Sequence, residues 1–304
     1  MNRLSPSLHF LCVGVPRAGT STLHALLQRH PQIGLPRGKE LPILHRPDLS
    51  PEIWEKTVQA YWPAHRPFRG KCTPQYWTEP HLPRLLCQRF PEITLILSLR
   101  DPVARFWSEY RMRWRRGWES RPPERFVEDA LNPQALNHAR TRSFLLHGGD
   151  YAPYMALAGR YGELLERWWA ACPPERWVVL FYETWTRSPT QGLALLWQRL
   201  GVAPPPSARL PRENTTDISP VAGLLARLFF ALHRRVNPRP HLPLPLRARY
   251  DALLYTTTRH LRRRPDPPPP PPHLETRLRE FYAPDMERLT TLIGRPLPWP
   301  AFSS

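Results

Sequence analysis

A glycine-containing segment after the first apolar run constrains the fold of this chain more than any other feature. Residues 8–15 (LHFLCVGV) are apolar and rich in branched side chains, so they fit a buried strand, although periodicity alone also allows a helix. Gly14 and Gly19 mark the end of this run, and three hydroxyl residues stand where the next helix begins: Thr20, Ser21 and Thr22. The first N–H groups of a helix lack partners within it and lie at the positive end of its dipole, so they bind anions. The segment therefore predicts a phosphate-binding loop between a strand and a helix.

The loop departs from the pattern of nucleotide triphosphatases at one position. Their loops read G-x-x-x-x-G-K-[ST], whereas Thr20 occupies the lysine position here. A β- or γ-phosphate then loses its usual partner, while Arg17 offers a forked cationic donor to a different terminal group. For the loop alone, an ordinary strand–turn–helix whose glycines serve packing stays open as an alternative.

A second strand end carries another anion-binding pattern. Residues 93–99 (ITLILSL) form a continuous apolar run between helix breakers, as parallel core strands do. Arg100 follows at the carboxyl end of that strand, where open parallel sheets bind their ligands. Residues 177–182 (WVVLFY) predict a further buried strand, and helical segments separate the strands. The order predicts an α/β fold with a P-loop-type central parallel sheet, helices on both faces and a helical C-terminal portion.

Two motifs resemble those of sulfotransferases that use 3′-phosphoadenosine 5′-phosphosulfate (PAPS). The sequence P-R-A-G-T-S-T, followed by a helix and H-P, resembles their 5′-phosphosulfate loop, with Arg17 where most members carry lysine. The segment R-D-P-x-x-R-x-x-S-x-Y at residues 100–110 resembles the motif whose arginine and serine hold the 3′-phosphate. The resemblance implies a donor site made by the following residues: Arg17, Ala18, Gly19, Thr20, Ser21, Thr22, Arg100 and Ser108. It also implies adenosine 3′,5′-bisphosphate as the product nucleotide.

On the acceptor side, the resemblance rests on Glu40. In the family, the glutamate of a K-E-x-H-like turn takes the proton from the acceptor hydroxyl, and Glu40 matches that glutamate. A carboxylate in a closed pocket can have its pKa raised towards neutrality, which suits a general base. The turn departs from the family pattern because residues 43–44 (IL) replace an aromatic pair, and His45 is the next candidate for the base. Outside this context, a Lys–Glu pair in a loop is usually a solvated surface pair.

The resemblance assigns two further residues to the site. Lys71 lies in K-C-T-P-Q-Y, which resembles the K-[ST]-P-x-Y segment of glycan-type sulfotransferases that supplies a lysine near the transferring sulfonate. Cys72 stands where that lysine usually lies, so the alternative for Lys71 is a basic residue at the end of an edge strand. Arg212 falls where family members bring a loop over the nucleotide, and it joins the donor site. The catalytic set implied by the resemblance is Glu40, Arg17 and Lys71.

The basic segments outside these motifs leave two interpretations open. Residues 111–116 (RMRWRR), with Trp118 nearby, are either an acceptor-facing rim for an anionic or sugar substrate or a solvated helix terminus. Residues 221–236 and 246–261 predict helices rich in leucine and arginine, which either pack on the domain or lie on a membrane surface. Residues 262–272 predict a stiff, solvated, proline-rich linker within a single sulfotransferase domain that spans residues 1–304.

The composition limits the partners and the compartment. The 43 basic residues less the 25 acidic ones leave a net charge of +18, which suits polyanionic partners, but the arginines are spread along the chain and make no nucleic-acid signature. The 4 scattered cysteines predict neither a disulfide framework nor a metal site, so reduced thiols in the cytoplasm are the expectation. No apolar run approaches the length of a membrane span. We expect no metal, because fixed cationic and N–H donors can balance the charge of a sulfuryl-transfer transition state.

These patterns together predict transfer of the sulfuryl group of PAPS to a hydroxyl or amine. A carbohydrate acceptor is expected because the glutamate base and the T-P-x-Y segment resemble glycan sulfotransferases. A P-loop nucleotide kinase is one alternative, but the strand at residues 93–99 is followed by arginine rather than by an acidic magnesium ligand. A noncatalytic binder of acidic glycans or nucleic acid is the other, and it gives no reason for Glu40 beside a phosphate loop. The acceptor's identity and the oligomeric state do not follow from the sequence.

Overall fold

The computed structural model describes residues 3–37, 39, 43–205, 210, 246, 249–250 and 265–302, and within them one parallel sheet forms the centre of the fold. Its strands are β1 (Phe10–Gly14), β2 (Ile33–Gly34), β3 (Phe68–Cys72), β4 (Thr94–Leu99) and β5 (Trp177–Phe181). Their spatial order is β2-β3-β1-β4-β5, and every neighbouring pair is parallel. The strand that precedes the phosphate loop, β1, therefore lies in the middle of the sheet.

Helices connect the strands in the same described residues. They are α1 (Thr20–Arg29), α2 (Pro51–Tyr61), α3 (Leu82–Arg89), α4 (Pro102–Arg115), α5 (Pro123–Ala130), α6 (Pro133–Thr141), α7 (Phe144–His147), α8 (Tyr151–Leu157), α9 (Tyr161–Trp169), α10 (Tyr182–Arg187), α11 (Pro189–Gly192), α12 (Ala194–Leu200) and α13 (Pro272–Ile293).

The sheet is buried on both faces, as the sequence predicted. Along β4, Leu95 and Leu97 belong to one apolar core, whereas Ile96 between them belongs to the other. The first core also contains buried side chains of α4, α8 and α9, and the second contains those of α1 and α12. A parallel strand with apolar side chains on both faces needs such a two-sided cover, because its polar backbone is already paired within the sheet. The predicted α/β fold class is confirmed.

Side-chain caps begin two helices, and the sequence predicts both starts because Ser50 and Asp101 each precede a proline. Ser50 Oγ accepts a hydrogen bond from the Ile53 N–H over 3.2 Å, and α2 starts at the next residue, a proline. Asp101 Oδ1 accepts one from the Ala104 N–H over 2.8 Å, and α4 starts at Pro102. Both caps satisfy N–H groups that have no partner within the helix.

The sequence also predicts a single long helix over residues 151–171, and this prediction is wrong. The chain breaks between α8 and α9, at Gly159, because the ring of Tyr282 from α13 lies against it; a Cβ atom on Gly159 would be 2.7 Å from the Tyr282 Cε1 atom. Asp285, also from α13, then caps α9 by accepting hydrogen bonds from the Gly162 and Glu163 N–H groups, both over 2.9 Å. The glycine at the break is a local signal, whereas the ring packed against it and the cap of α9 come from a distant part of the chain.

The proline-rich stretch and the cysteines also differ from expectation. Pro267 is buried, so the predicted solvated linker is wrong at that residue, and the last residue assigned to the linker, Pro272, begins α13. Cys87 and Cys172 form a disulfide with a Cα–Cα distance of 5.8 Å, which corrects the expectation of reduced thiols for this pair. The pairing was not visible in the sequence because the two residues are 85 positions apart.

Candidate functional site

The predicted phosphate loop joins β1 to α1 at the carboxyl edge of the sheet. Gly19 has a φ of 76°, in the left-handed region, and α1 starts at the next residue. A Cβ atom at Gly19 would lie 2.5 Å from the Trp185 ring and 2.7 Å from the Tyr182 ring, so both the backbone conformation and the space require glycine. Because Gly19 has no side chain to cap the helix, the first N–H groups of α1 are available to an anion.

Buried polar contacts hold the loop against β4 and α10. Ser98 Oγ donates a hydrogen bond to the Ala18 carbonyl oxygen over 2.6 Å and accepts one from Trp185 Nε1 over 3.0 Å. Ser98 is fully buried, so these contacts are shielded from water. The loop conformation is thus set by the neighbouring strand and the helix after β5, in addition to its own glycines.

The structure brings Arg17, Arg100 and Ser108 together. Arg17 Nε donates to Ser108 Oγ over 3.1 Å, and Arg100 Nη1 donates to the Arg17 carbonyl oxygen over 3.0 Å. Arg100 also lies over the Tyr182 ring, 4.9 Å from its centroid. The sequence did not assign Tyr182 to the site, although an aromatic residue at the carboxyl end of a predicted parallel strand was a signal that could have done so.

Positive charge accumulates beside these residues. Burial is the main cause that lowers the pKa of Arg17, Glu109 opposes the shift, and like charges of three neighbours lower the pKa further: Arg100, Arg115 and Arg111. Arginine stays protonated at neutral pH, so this region attracts anions. A cavity of about 400 Å³ is lined by Arg17, Ser108, Arg111, Arg115 and residues 266–269. Asp266 forms an ion pair with Arg115 at this cavity.

Lys39 reaches the phosphate loop from outside it, which the sequence did not predict. Its Nζ atom donates to Ser21 Oγ over 2.9 Å and lies 3.4 Å from Thr20 Oγ1. Lys39 is only 3% exposed, so the alternative of a solvated Lys–Glu surface pair is wrong for this lysine. The available signal was the missing lysine of the loop itself, which leaves room for a cation supplied from elsewhere.

Lys71 lies on the strand next to β1 and is fully buried. The alternative that placed it on an edge strand is wrong, because β3 lies between β2 and β1. Its Nζ atom donates to Thr73 Oγ1 and lies 4.8 Å from the centroid of the Tyr76 ring. The carboxyl ends of parallel strands share one edge, so Lys71 and the phosphate loop lie on the same side of the sheet.

Tyr76 connects Lys71 to the segment that follows Glu40. Its hydroxyl oxygen accepts hydrogen bonds from the Ile43 and Leu44 N–H groups, both over 3.0 Å. His45 follows, and its pKa is lowered to about 4, first by burial and then by the positive charges of Lys71 and Arg46. The imidazole is therefore neutral at neutral pH.

Two residues assigned from the sequence, Glu40 and Arg212, lie outside the described residues. The sequence assigned them from the resemblance alone, and both assignments stay predictions.

The basic segment at the end of α4 contacts aromatic rings. Arg113 lies 4.1 Å from the centroid of the Tyr151 ring, and Arg116 lies 4.8 Å from that of Trp118. Trp118 is 48% exposed. A solvated helix terminus does not account for these ring contacts, so they favour the other interpretation, a basic and aromatic rim.

Comparisons with known proteins match this chain to sulfotransferases. The family model described as the sulfotransferase domain matches residues 8–210. The membrane-associated sulfotransferase kil1 of Dictyostelium discoideum is 30% identical over 131 residues, an alignment that covers 42% of this chain and 28% of that protein. This chain thus matches less than a third of that relative's length.

Solved structures of sulfotransferases are also similar to this chain. The sulfotransferase from Alicyclobacillus acidocaldarius has a TM-score of 0.61 at 18% identity, covering 95% of this chain and 97% of that one, which shows a shared fold. Mouse sulfotransferase SULT7A1, solved in complex with PAP, has a TM-score of 0.43 at 13% identity over 68% of this chain and 63% of that one. None of the helices in the described part of the chain combines the length and apolar composition needed to span a bilayer.

Proposed function

This chain belongs to the sulfotransferase domain family, whose model matches residues 8–210, and on that premise we propose that it uses PAPS to sulfate a hydroxyl group of a carbohydrate. Family membership supports an enzyme that transfers sulfuryl groups. The donor, the acceptor and the roles of individual residues are the parts that we propose. When bound, PAPS supplies the sulfuryl group, and the residues of the chain bind it, orient it and take up a proton.

The observation that carries the donor assignment is the meeting of two anion-binding groups at one edge of the sheet. The first is the start of α1, with the hydroxyls of Thr20 and Ser21. The second surrounds Arg100 and Ser108, and Arg17 contacts both of these residues. A nucleotide with phosphates on its 5′ and 3′ carbons needs two such groups, whereas the linear phosphate chain of ATP needs one. We therefore assign the loop to the 5′-phosphosulfate and Arg100 with Ser108 to the 3′-phosphate.

On the acceptor side, we propose Glu40 as the general base and Lys71 as a cation near the transferring group. The buried ammonium of Lys71 can balance negative charge that develops during transfer, because a buried charge acts in a low dielectric. Tyr76 supports the chain three residues after Glu40 by accepting two backbone hydrogen bonds. Glu40→Gln should abolish turnover and spare nucleotide binding; retained turnover would move the base to His45, whose neutral imidazole can accept a proton.

The proposed carbohydrate acceptor is supported by basic and aromatic side chains at the end of α4. Exposed Trp118, flanked by Arg113 and Arg116, suits a sugar that carries acidic groups, since guanidinium groups bind carboxylates and sulfates in a forked geometry. The Cys87–Cys172 disulfide favours an oxidising compartment over the cytoplasm that the sequence predicted.

The kinase alternative is tested by the same structure. Lys39 restores a cation near the loop, so the missing loop lysine no longer speaks against a kinase. The strand that should present a magnesium ligand is followed by Arg100, and the carboxylate of Asp101 caps α4 instead. The site therefore favours PAPS, which carries a 3′-phosphate and a 5′-phosphosulfate, over ATP with magnesium as the donor.

Calorimetric titration of adenosine 3′,5′-bisphosphate tests the donor assignment, with ATP plus magnesium and adenosine 5′-monophosphate as controls. We expect the bisphosphate to bind the wild type tightly and Arg100→Ala weakly, and the monophosphate to bind both weakly. Binding of ATP in preference to the bisphosphate, or of neither nucleotide, would overturn the donor assignment. Mass spectrometry of an acceptor panel with PAPS then identifies which class gains a sulfuryl group.

A further inference from the structure

Lys39 is a buried cation at the start of α1, and it comes from outside the loop that contains Arg17. It is 3% exposed, and it lies 19 positions after Thr20, which occupies the lysine position of the loop. A threonine side chain is neutral and too short to follow a phosphate chain. The ammonium group of Lys39 instead approaches the helix start from the side, through the hydroxyls of Thr20 and Ser21.

The direction of these hydrogen bonds determines what the hydroxyls can do. An ammonium group only donates, so Ser21 Oγ must accept from Lys39 over 2.9 Å, and Thr20 Oγ1, at 3.4 Å, faces the same donor. A hydroxyl that accepts from a lysine keeps its own proton for another partner. Beside the first N–H groups of a helix, that partner is an anion.

We propose that Lys39 is a donor-binding residue that holds the 5′-phosphate of the nucleotide. It does so by adding a positive charge at the start of α1 and by orienting the hydroxyl protons of Thr20 and Ser21 towards that phosphate. This inference rests on the proposed function, and it assigns to a residue outside the loop the task that a lysine within the loop performs in nucleotide triphosphatases.

Comparing two ligands that differ only in the 5′-phosphate tests this role. Lys39→Met keeps the aliphatic stem and removes the charge. We expect it to weaken the binding of adenosine 3′,5′-bisphosphate by about 10- to 100-fold, the usual effect of losing a hydrogen bond to a charged group, and to leave adenosine 3′-monophosphate unchanged. Arg100→Ala should instead weaken both ligands, because both carry the 3′-phosphate.

A second measurement follows the 5′-phosphate directly. The ³¹P resonances of bound adenosine 3′,5′-bisphosphate report the pKa of each phosphate. Removal of a nearby positive charge should raise the pKa of the 5′-phosphate in Lys39→Met and leave that of the 3′-phosphate unchanged. A lysine that only supports the fold would not move one resonance selectively.

Three variants complete the test. Lys56→Met removes an exposed lysine from α2, where it pairs with Glu52, and should change neither ligand. Lys39→Arg retains the charge and should recover most of the affinity lost in Lys39→Met. Lys39→Gln retains a donor without charge and replaces Lys39→Met in both measurements if the methionine variant does not fold.

The outcomes separate this inference from the function on which it rests. Equal weakening of both ligands in Lys39→Met, or no weakening of the bisphosphate, would overturn the role of Lys39 and leave the donor assignment standing. Failure of the wild type to bind the bisphosphate would overturn the proposed donor, and the role of Lys39 with it.

Discussion

The Nε atom of Arg17 donates a hydrogen bond to Ser108 Oγ over 3.1 Å, across 91 positions of sequence. This contact joins the phosphate loop after β1 to the helix after β4. It brings two motifs that are separate in the chain into one basic surface, which is our candidate anion-binding site. The same guanidinium lies 4.0 Å from the Glu109 carboxylate, which offsets part of the surrounding positive charge.

The contact predicts coupling between Arg17 and Ser108 in nucleotide binding. Arg17→Ala should weaken adenosine 3′,5′-bisphosphate by about 10- to 100-fold, because a guanidinium that is only 29% exposed is removed from the phosphate site. Ser108→Ala should have a smaller effect, and the double variant should fall short of the sum, since residues in contact are not independent. Calorimetry on the four proteins measures this coupling. Additive effects would contradict a shared site, and Arg125→Ala, an exposed arginine on α5, serves as the control.

Gly19→Ala should destabilise the fold and abolish nucleotide binding. The new methyl group would lie 2.5 Å from the Trp185 ring, at a φ of 76°. The backbone conformation alone costs about 1–2 kcal/mol, and the overlap with packed rings adds about 1–3 kcal/mol. Gly294→Ala is the matched control, because its φ is 63° but nothing lies within 4 Å of the added atom. Chemical denaturation of both variants should show the larger loss for Gly19→Ala, and equal losses would rule out the steric part of the explanation.

His45 should make stability depend on pH in a defined window. Its pKa is lowered to about 4 in the folded chain, from an ordinary value of 6.5. Between pH 6.5 and 4, His45 is protonated in the unfolded chain but neutral in the folded chain. The contribution of His45 to the free energy of unfolding is therefore fully present above pH 6.5 and falls as the pH drops towards 4. The slope contributed by one such group is at most about 1.4 kcal/mol per pH unit.

Urea denaturation between pH 4 and 7 measures this dependence. His45→Gln should flatten the profile within the window, whereas His65→Gln, at an exposed position, should leave it unchanged. A profile that His45→Gln does not alter would show that other groups cause the loss of stability. The groups that bear on His45 through their charge are Lys71, Arg46 and Asp48.

Reduction of the Cys87–Cys172 disulfide should lower stability without changing the nucleotide site. The bond closes a segment with a sequence separation of 85, and opening such a loop typically costs about 2–4 kcal/mol. The melting temperature should fall with reductant in the wild type but not in Cys87→Ser, and the bisphosphate affinity at low temperature should stay the same. Alkylation of thiols at the moment of cell lysis would show whether the bond exists in the cell; fully alkylated Cys87 and Cys172 would restore the expectation of reduced thiols.

Asp266→Asn should tighten nucleotide binding. Asp266 pairs with Arg115 at the cavity that also contains Arg17 and Ser108, so its carboxylate competes with a phosphate for the same guanidinium. The carboxylate is half-exposed, so the gain should be only a few-fold, corresponding to less than about 1 kcal/mol. Asp48→Asn, which removes an exposed partner of Arg46, is the control. An unchanged or weaker affinity in Asp266→Asn would show that this carboxylate does not compete.

The sequence alone determined the features that depend on neighbours in the chain. The glycines of the loop, the hydroxyls at the start of α1, the apolar run of β4 and the caps at Ser50 and Asp101 are local signals. Each works through backbone conformation or through hydrogen bonds within a few residues. For that reason the α/β class, the parallel central sheet and the position of the loop were predictable, whereas the spatial order of the strands was not predicted.

The tertiary structure decided every feature that joins distant residues. Lys39 donates to a loop hydroxyl, and Arg100 packs on the Tyr182 ring. Asp285 caps α9. Each contact forms only because the sheet and α13 bring distant segments together. The same holds for the Cys87–Cys172 pair. Burial of apolar faces drives this assembly, and burial is proportional to area and has no direction, so a single sequence does not reveal which polar side chains will meet. Local patterns therefore located the two halves of the candidate site, and packing determined how they are joined.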